Sequence, residues 1–253
     1  VEKIMKTVDL FQFNASTNIP ATLQRTTMDI VEVCNSVFRP FFRNVANRVQ
    51  EEALNSGCTH IVEMGAGNAP ITRRLLESSE GSLTFTVCDL MPDEELYARL
   101  EKEHPKRVQG LTQAVDFTIP RQWPPQTLLV LVACFHHVPV AERAAAFETL
   151  TNSADRVMLF SPVKKTLFCM FAAVGILVPG LLVPLIYIHR PARLRRMFWC
   201  WLLPIAPLIM LWDGVGGCVR QWTTAEWKAV EQNQNLPRSI LVESTPNSQT
   251  VIC

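Results

Sequence analysis

A carboxylate and two glycines crowd into one short stretch of this chain, His60-Ile61-Val62-Glu63-Met64-Gly65-Ala66-Gly67-Asn68-Ala69-Pro70. The absence of side chains at Gly65 and Gly67 lets backbone amides approach a ligand closely. A helix expected over 71–77 adds its N-terminal dipole at the same point. Glu63, at the end of an apolar strand and just ahead of Gly65, can meet a cationic amine. The stretch therefore reads as a ligand-cradling turn between a strand and a helix. A dinucleotide fingerprint wants Gly-x-Gly-x-x-Gly and usually no carboxylate just before the first glycine. Here Pro70 takes the place of the third glycine, which disfavours a nicotinamide-dependent oxidoreductase.

Four further features follow in order. Leu83-Thr84-Phe85-Thr86-Val87-Cys88 reads as a second strand ending in Asp89 and Leu90, and the 110–117 segment ends in Asp116 and Phe117. The run 127–133 is apolar throughout, as expected of a strand buried on both faces of a parallel sheet, and it closes in Cys134-Phe135-His136-His137-Val138-Pro139. A helix over 141–150 and a strand over 156–160 complete the unit. An acidic residue ending the second strand is where this architecture places hydrogen bonds to ribose hydroxyls.

In this order and spacing the motifs resemble those of the class I S-adenosylmethionine (SAM)-dependent methyltransferases, over roughly residues 55–161 and the C-terminal strands. That family expects Glu/Asp-x-Gly-x-Gly-x-Gly, so Ala69 in the last place is a departure. The resemblance implies SAM as cofactor, held by Glu63, Gly65, Ala66 and Gly67 at the turn, Asp89 and Leu90 after the second strand, and Asp116, Phe117 and Phe135 further on. In the family an acidic side chain at the third landmark takes the adenine amino group while its neighbour packs on the ring. If the acceptor is a hydroxyl, His136 or His137 can serve as general base, because imidazole titrates near working pH.

Each of these residues also has a purely structural reading. Glu63 can be a solvent-facing strand-end carboxylate, Asp89 a cap for the segment after Pro92, and Asp116 a turn former. His136 and His137, if they stand on a strand end, point to opposite sides, and both can simply pack. Adjacent histidines with no third partner at ligand spacing make a poor metal site, so no metal is expected.

The rest of the composition narrows the partners. A chain of 253 residues with formal charge +1 can bury one full α/β core and shows no pull toward a polyanion. There is no basic stripe with interleaved aromatics and no Asn-Pro-Pro-Tyr-type motif, so no nucleic acid is expected. Eight cysteines without a Cys-x-x-Cys pair suggest reduced thiols in an intracellular or organelle-matrix setting, with neither zinc site nor disulfide framework. The chain opens at Val1 with no apolar signal core, so targeting is not read from this end.

From Leu167 through Ile188 there is no charged residue, and those 22 residues would span roughly 33 Å as a helix. That is enough for a hydrocarbon core of about 30 Å. His189, Arg190, Arg193, Arg195 and Arg196 follow, then a shorter apolar arm over 197–212 containing Pro204 and Pro207. Lys164 and Lys165 flank the other end. The pattern is two apolar arms joined by a basic tip. It can cross a bilayer twice, dip into one leaflet with Trp199, Trp201 and Trp212 at headgroup level, or fold as a soluble cap over the site. Pro179-Gly180 and Pro184 would kink or break the first arm, which favours the one-leaflet form.

Asp213-Gly214 reads as a turn leading back to the sheet, Thr223-Thr224-Ala225-Glu226 as the start of a helix running to about Asn233, and 239–244 and 249–253 as the last two strands, separated by Pro246-Asn247. Phe135-His136-His137, the apolar insertion, Trp212-Asp213-Gly214, Arg220 and Trp222 together resemble a bacterial-type methyltransferase subgroup. The N-terminal stretch holds Phe11-Gln12-Phe13-Asn14, a helix-like 21–34 and a Phe38-Arg39-Pro40-Phe41-Phe42 cluster.

The expected architecture is α/β: a Rossmann-like seven-stranded methyltransferase sheet with helices on both faces and an apolar helical-hairpin insertion. Its parts are an N-terminal helical segment over the cofactor site (1–56), a SAM-binding core (57–162), the insertion in contact with a membrane (163–213), and a C-terminal helix with two strands (214–253). The expected function is methyl transfer to a small apolar or membrane-partitioning acceptor, by an intracellular protein associated with a membrane through 167–212, an organelle membrane being one setting. The alternative is a methyltransferase-like pseudoenzyme that serves as an accessory subunit of a membrane protein complex.

Overall fold

Seven short runs form one sheet: β1 (His60–Met64), β2 (Thr84–Cys88), β3 (Val108–Gly110), β4 (Thr127–Val132), β5 (Arg156–Ser161), β6 (Leu241–Ser244) and β7 (Gln249–Ile252). Their spatial order is β3-β2-β1-β4-β5-β7-β6 in the computed structural model, which describes residues 7–13, 19–78, 83–234, 236–245 and 248–253. The first five strands are parallel, and β7 runs antiparallel to both β5 and β6. Register sets the site: Met64, the last residue of β1, stands level with Cys88 at the end of β2 and with Leu131 of β4. Chain order reverses between β1 and β4, the place where an open α/β sheet opens a crevice at its carboxyl edge.

Alternation along the central strands divides the apolar side chains between two layers. Ile61, Leu128, Val130, Met158 and Phe160 pack into one, with the helices Arg39–Ser56, Pro70–Ser78 and Glu94–Glu103. Val62, Leu129, Leu131, Val157 and Leu159 pack into the other, with Arg143–Ser153 and Thr224–Asn233. The last helix starts where the sequence places it: the Thr223 hydroxyl accepts from the Glu226 amide while the Glu226 carboxylate accepts from the Thr223 amide, a capping box that contributes about 1 kcal/mol. Pro246 and Asn247, expected to separate the last strands, lie outside the described residues, as does Asn14.

The domain boundaries differ from those expected. The chain forms two compact units, Pro40–Pro162 with Trp222–Cys253, and Val1–Arg39 with Val163–Gln221. The N-terminal stretch 1–56 is thus divided: the Ala21–Val37 helix belongs with the insertion, and Arg39–Ser56 carries the first core layer. The insertion also does not end at residue 213. Asp213-Gly214 is no turn but lies inside the helix Ile205–Arg220. Asp213 binds the N-terminal segment, its Oδ1 accepting from the Phe13 amide at 2.9 Å and its carbonyl from Gln12 Nε2. A side chain at Gly214 would meet Ile176 Cδ1 at 2.8 Å, so the glycine serves close helix packing.

Within the insertion unit the first arm stays helical from Leu167 to Ile186, tightening to a 3-10 turn over Val174–Ile176. Neither proline breaks it as the sequence suggested: Pro179 falls in the first turn of Leu177–Ile186 and Pro184 lies inside that helix, which continues to Ile186. The second arm does break. Arg193–Leu202 and Ile205–Arg220 meet at 68° across Leu203 and Pro204. Among the described residues one helix is, by length and composition, apolar enough to cross a membrane, or two if the bent pair counts as one span. The basic tip is also not uniform, since Arg195 and Arg196 both bond Asp29 of the Ala21–Val37 helix.

Candidate functional site

The ends of β1, β2 and β4 converge on the glycine turn. Gly65 and Gly67 have φ of +61° and +49°, in the left-handed region that glycine enters freely. At Gly65 the requirement is also steric, since a Cβ there would stand 2.8 Å from Cys134 Sγ. The turn is sewn to β2 by the Ala66 amide, which donates to the Cys88 carbonyl at 3.1 Å, and by the Gly67 amide, which donates to Asp89 Oδ2 at 2.8 Å. Asp89 Oδ1 takes the Met91 amide at 2.9 Å. Burial pushes the Asp89 carboxyl up, against the pull of these amides. Leu90 beside it is exposed and offers an apolar surface at the mouth.

Glu63 does not face outward. Expected to meet a cationic amine or to face solvent, it is 1% exposed, and its two oxygens accept from the Ile71 amide at 3.1 Å and the Thr72 amide at 2.8 Å. A carboxylate at the first turn of the Pro70–Ser78 helix satisfies amides that have no helical partner and complements the helix dipole. Burial raises its pKa, and the same amide bonds oppose the rise. Glu63 therefore holds the turn from beneath.

The third landmark reaches the mouth through the backbone, the Val115 amide donating to the Asp89 carbonyl at 2.8 Å. Asp116 forms a local turn, with Oδ1 accepting from the Thr118 amide at 2.8 Å and its hydroxyl at 2.7 Å. The Phe117 ring lies 6.4 Å from that of Phe135. Phe135 in turn stacks on Trp227 at 5.7 Å and meets Phe147 and Trp222 edge-on. The site thus has an aromatic wall in which Phe135 is mostly a packing residue.

His136 and His137 are not at a strand end. β4 stops at Val132, and the pair sits on a one-turn 3-10 helix, Phe135–His137, closed by the Val138 amide donating to the Phe135 carbonyl. The rings consequently lie together, centroids 4.4 Å apart, instead of on opposite sides. Both are half-buried. Among the described residues no group of three His, Cys, Asp or Glu could hold a metal ion.

Several residues of this region had no sequence signal. Arg143 is 1% exposed, and its guanidinium donates to the carbonyls of Val138 at 2.9 Å and His136 at 2.8 Å, fixing the histidine turn. Cys134 fills the space against Gly65, its thiol 3.6 Å from the Met64 carbonyl, and burial pushes that thiol up. Ala69 and Ala133 hold φ of +49° and +55°, strained for residues with a Cβ. Strain of this kind gathers where a site must be shaped. Tyr97, on the helix after β2, buries a hydroxyl with no hydrogen-bond partner among the described residues.

Strand order, the antiparallel β7 and the turn after β1 together make this the fold of the class I SAM-dependent methyltransferases. No family model and no curated protein sequence matches the chain. Among solved structures, a putative O-methyltransferase from Nostoc punctiforme superposes with a TM-score of 0.57 at 13% identity, over 96% of this chain and 62% of that one. An O-methyltransferase family protein from Burkholderia thailandensis gives 0.55 at 11%, over 87% and 58%. The chain thus spans about three fifths of either protein. The plantazolicin methyltransferase BpumL, solved with S-adenosylhomocysteine, gives 0.57 at 9%, over 94% and 93%.

Proposed function

We propose that the chain is a SAM-dependent methyltransferase acting on a small, apolar acceptor. The observation that carries this reading is the meeting of the Gly65–Gly67 turn with Asp89 at the switch point of a methyltransferase sheet. A cofactor-bound solved structure such as BpumL with S-adenosylhomocysteine adds weight at the level of the fold. The residues fit the group. Asp89 presents a carboxylate for ribose hydroxyls, Leu90 and Phe117 offer apolar faces for adenine, and Asp116 engages Thr118 through Oδ1. Glu63 acts on the turn it holds, not on the ligand.

The bound cofactor supplies an already activated methyl sulfonium, so the chain has little covalent chemistry to do. Its residues align an acceptor with the methyl and exclude water. For a hydroxyl acceptor, His136 or His137 would take the hydroxyl proton as general base. Arg143 holds both histidines by their turn and acts as a positioning residue. The test is calorimetric titration of purified protein with SAM. Saturable binding supports the reading, and no detectable heat favours a methyltransferase-like accessory subunit of a membrane complex instead.

A further inference from the structure

The outward sides of the two arms of the insertion unit are apolar. On the Leu167–Ile186 run the inward stripe is Cys169, Ala173, Gly180, Val183 and Pro184. The opposite stripe, Phe168, Phe171, Val178, Leu182 and Leu185 at helical spacing, is open to solvent, with Phe171 74% and Val178 59% exposed. A helix on a water-soluble protein places polar side chains there. The second arm repeats the pattern with Leu194, Trp201, Leu202, Leu208 and Trp212 exposed. Mean hydropathy over the first arm reaches 2.4. Soluble monomers usually keep contiguous apolar surface to a few hundred Å², and so many large exposed apolar side chains on two arms depart from that habit.

We infer that this surface docks into one leaflet of an anionic phospholipid bilayer. Charge points to lipid: between Asp155 and Asp213 there is no acidic residue, while Lys164, Lys165, Arg190 and Arg193 flank the apolar arms. Arg190 and Arg193 are exposed, placed to meet headgroup phosphates. The two indole donors on these faces are already satisfied. The Trp201 indole donates to the Leu181 carbonyl at 2.9 Å and the Trp212 indole to the Phe11 carbonyl at 2.8 Å. Arg195 and Arg196 both bond Asp29, which offsets one of their two charges. An unpaired donor or charge carried into lipid costs several kcal/mol, and a protein partner with a polar rim would not require this tidying. The 68° break at Leu203 and Pro204 turns the second arm aside, the shape of a dip into one leaflet.

The full chain, floated with phosphatidylcholine vesicles with and without phosphatidylglycerol, tests this. It should float with both and more strongly with the anionic ones. Phe171→Glu combined with Val178→Glu should lower partitioning by more than roughly 100-fold. Both positions face outward, so thermal unfolding should stay close to that of the wild type; Leu202→Glu on the other arm gives the same readout if the pair does not fold. Arg190→Gln with Arg193→Gln should weaken binding to anionic vesicles by up to roughly 5-fold per arginine and leave neutral vesicles unaffected. Wild-type protein that stays with the aqueous phase, or forms a detergent-free oligomer that Phe171→Glu dissociates, overturns lipid docking; the second outcome names another copy as the occupant. SAM titration on the same preparations reports on the sheet unit alone, so the two readings fail separately.

Discussion

The Gly67 amide donates to Asp89 Oδ2 across 2.8 Å, tying the turn after β1 to the end of β2. One carboxylate thus shapes the turn and stands at the mouth where ribose hydroxyls are proposed to bind. Asp89→Ala should weaken SAM binding by roughly 10- to 150-fold, the effect of losing hydrogen bonds to a charged group. Asp89→Asn keeps one acceptor and should lose less. Calorimetry decides it, and unchanged affinity in Asp89→Ala would mean the ribose site lies elsewhere.

Gly65→Ala should destabilise the sheet unit by about 2 kcal/mol or more, since left-handed backbone costs an alanine about 1–2 kcal/mol before any clash. The clash has a named partner, because the new Cβ would sit 2.8 Å from Cys134 Sγ and 3.0 Å from Cys134 Cβ. Cys134→Ala in the same chain should recover part of the steric loss and none of the backbone strain. Denaturant unfolding of the two single variants and the double closes the cycle. Additive losses would show that the thiol is not what excludes a side chain at Gly65.

Much of the sheet unit was legible because its signals are local. Continuous apolar runs marked β4 and β5, and Thr223 with Glu226 marked a helix start, all within a few residues of sequence. Glycine spacing located the turn, but it said nothing of which way Glu63 faces. That depends on the amides of Ile71 and Thr72, whose helix begins earlier than the apolar pattern suggests, at Pro70. The histidine turn was misjudged for a similar reason: the chain leaves β4 through Ala133 in a left-handed conformation that no alanine announces. Asp213-Gly214 reads as a turn by composition, and only the packing against Ile176 explains a glycine inside a helix. Grouping of the Ala21–Val37 helix with the insertion rests on long-range partners such as Asp29 with Arg195 and Arg196, which no local pattern encodes.

His60 gives the sheet unit a pH dependence. Its Nδ1 is 2.8 Å from Thr84 Oγ1 and its Nε2 is 3.1 Å from Thr86 Oγ1, between β1 and β2. Burial lowers its pKa below the ordinary 6.5. The unfolded chain therefore takes up a proton at a pH where the folded chain does not. This stabilisation is complete above about pH 6.5 and is lost as pH falls through the lower folded value. His60→Gln keeps a donor and an acceptor without titrating. The wild type's advantage in Tm over this variant should shrink on acidification from about pH 7 toward pH 5. A constant difference across that window would show that the ring contributes nothing to the dependence.

Asp29 makes the sharpest claim on the insertion unit. Its Oδ2 accepts from both Arg195 and from Arg196 Nε at 2.8 Å, with the three side chains 17%, 18% and 8% exposed. Arg196 also donates to the Pro191 carbonyl at 2.7 Å and lies over the Tyr187 ring. Removing the carboxylate leaves a buried and a half-buried guanidinium without their shared partner, so the expected cost of Asp29→Ala is about 3 kcal/mol, near the lower end for breaking a buried pair. Replacing all three residues by apolar ones of similar size should restore most of that loss, because the desolvation penalty goes with the charges. Thermal unfolding in mild detergent, followed through the near-ultraviolet signal of the insertion tryptophans, compares the two. If Asp29→Ala unfolds with the wild type, the ion pair carries no stability, and the idea that it holds Arg195 and Arg196 against the Ala21–Val37 helix falls with it.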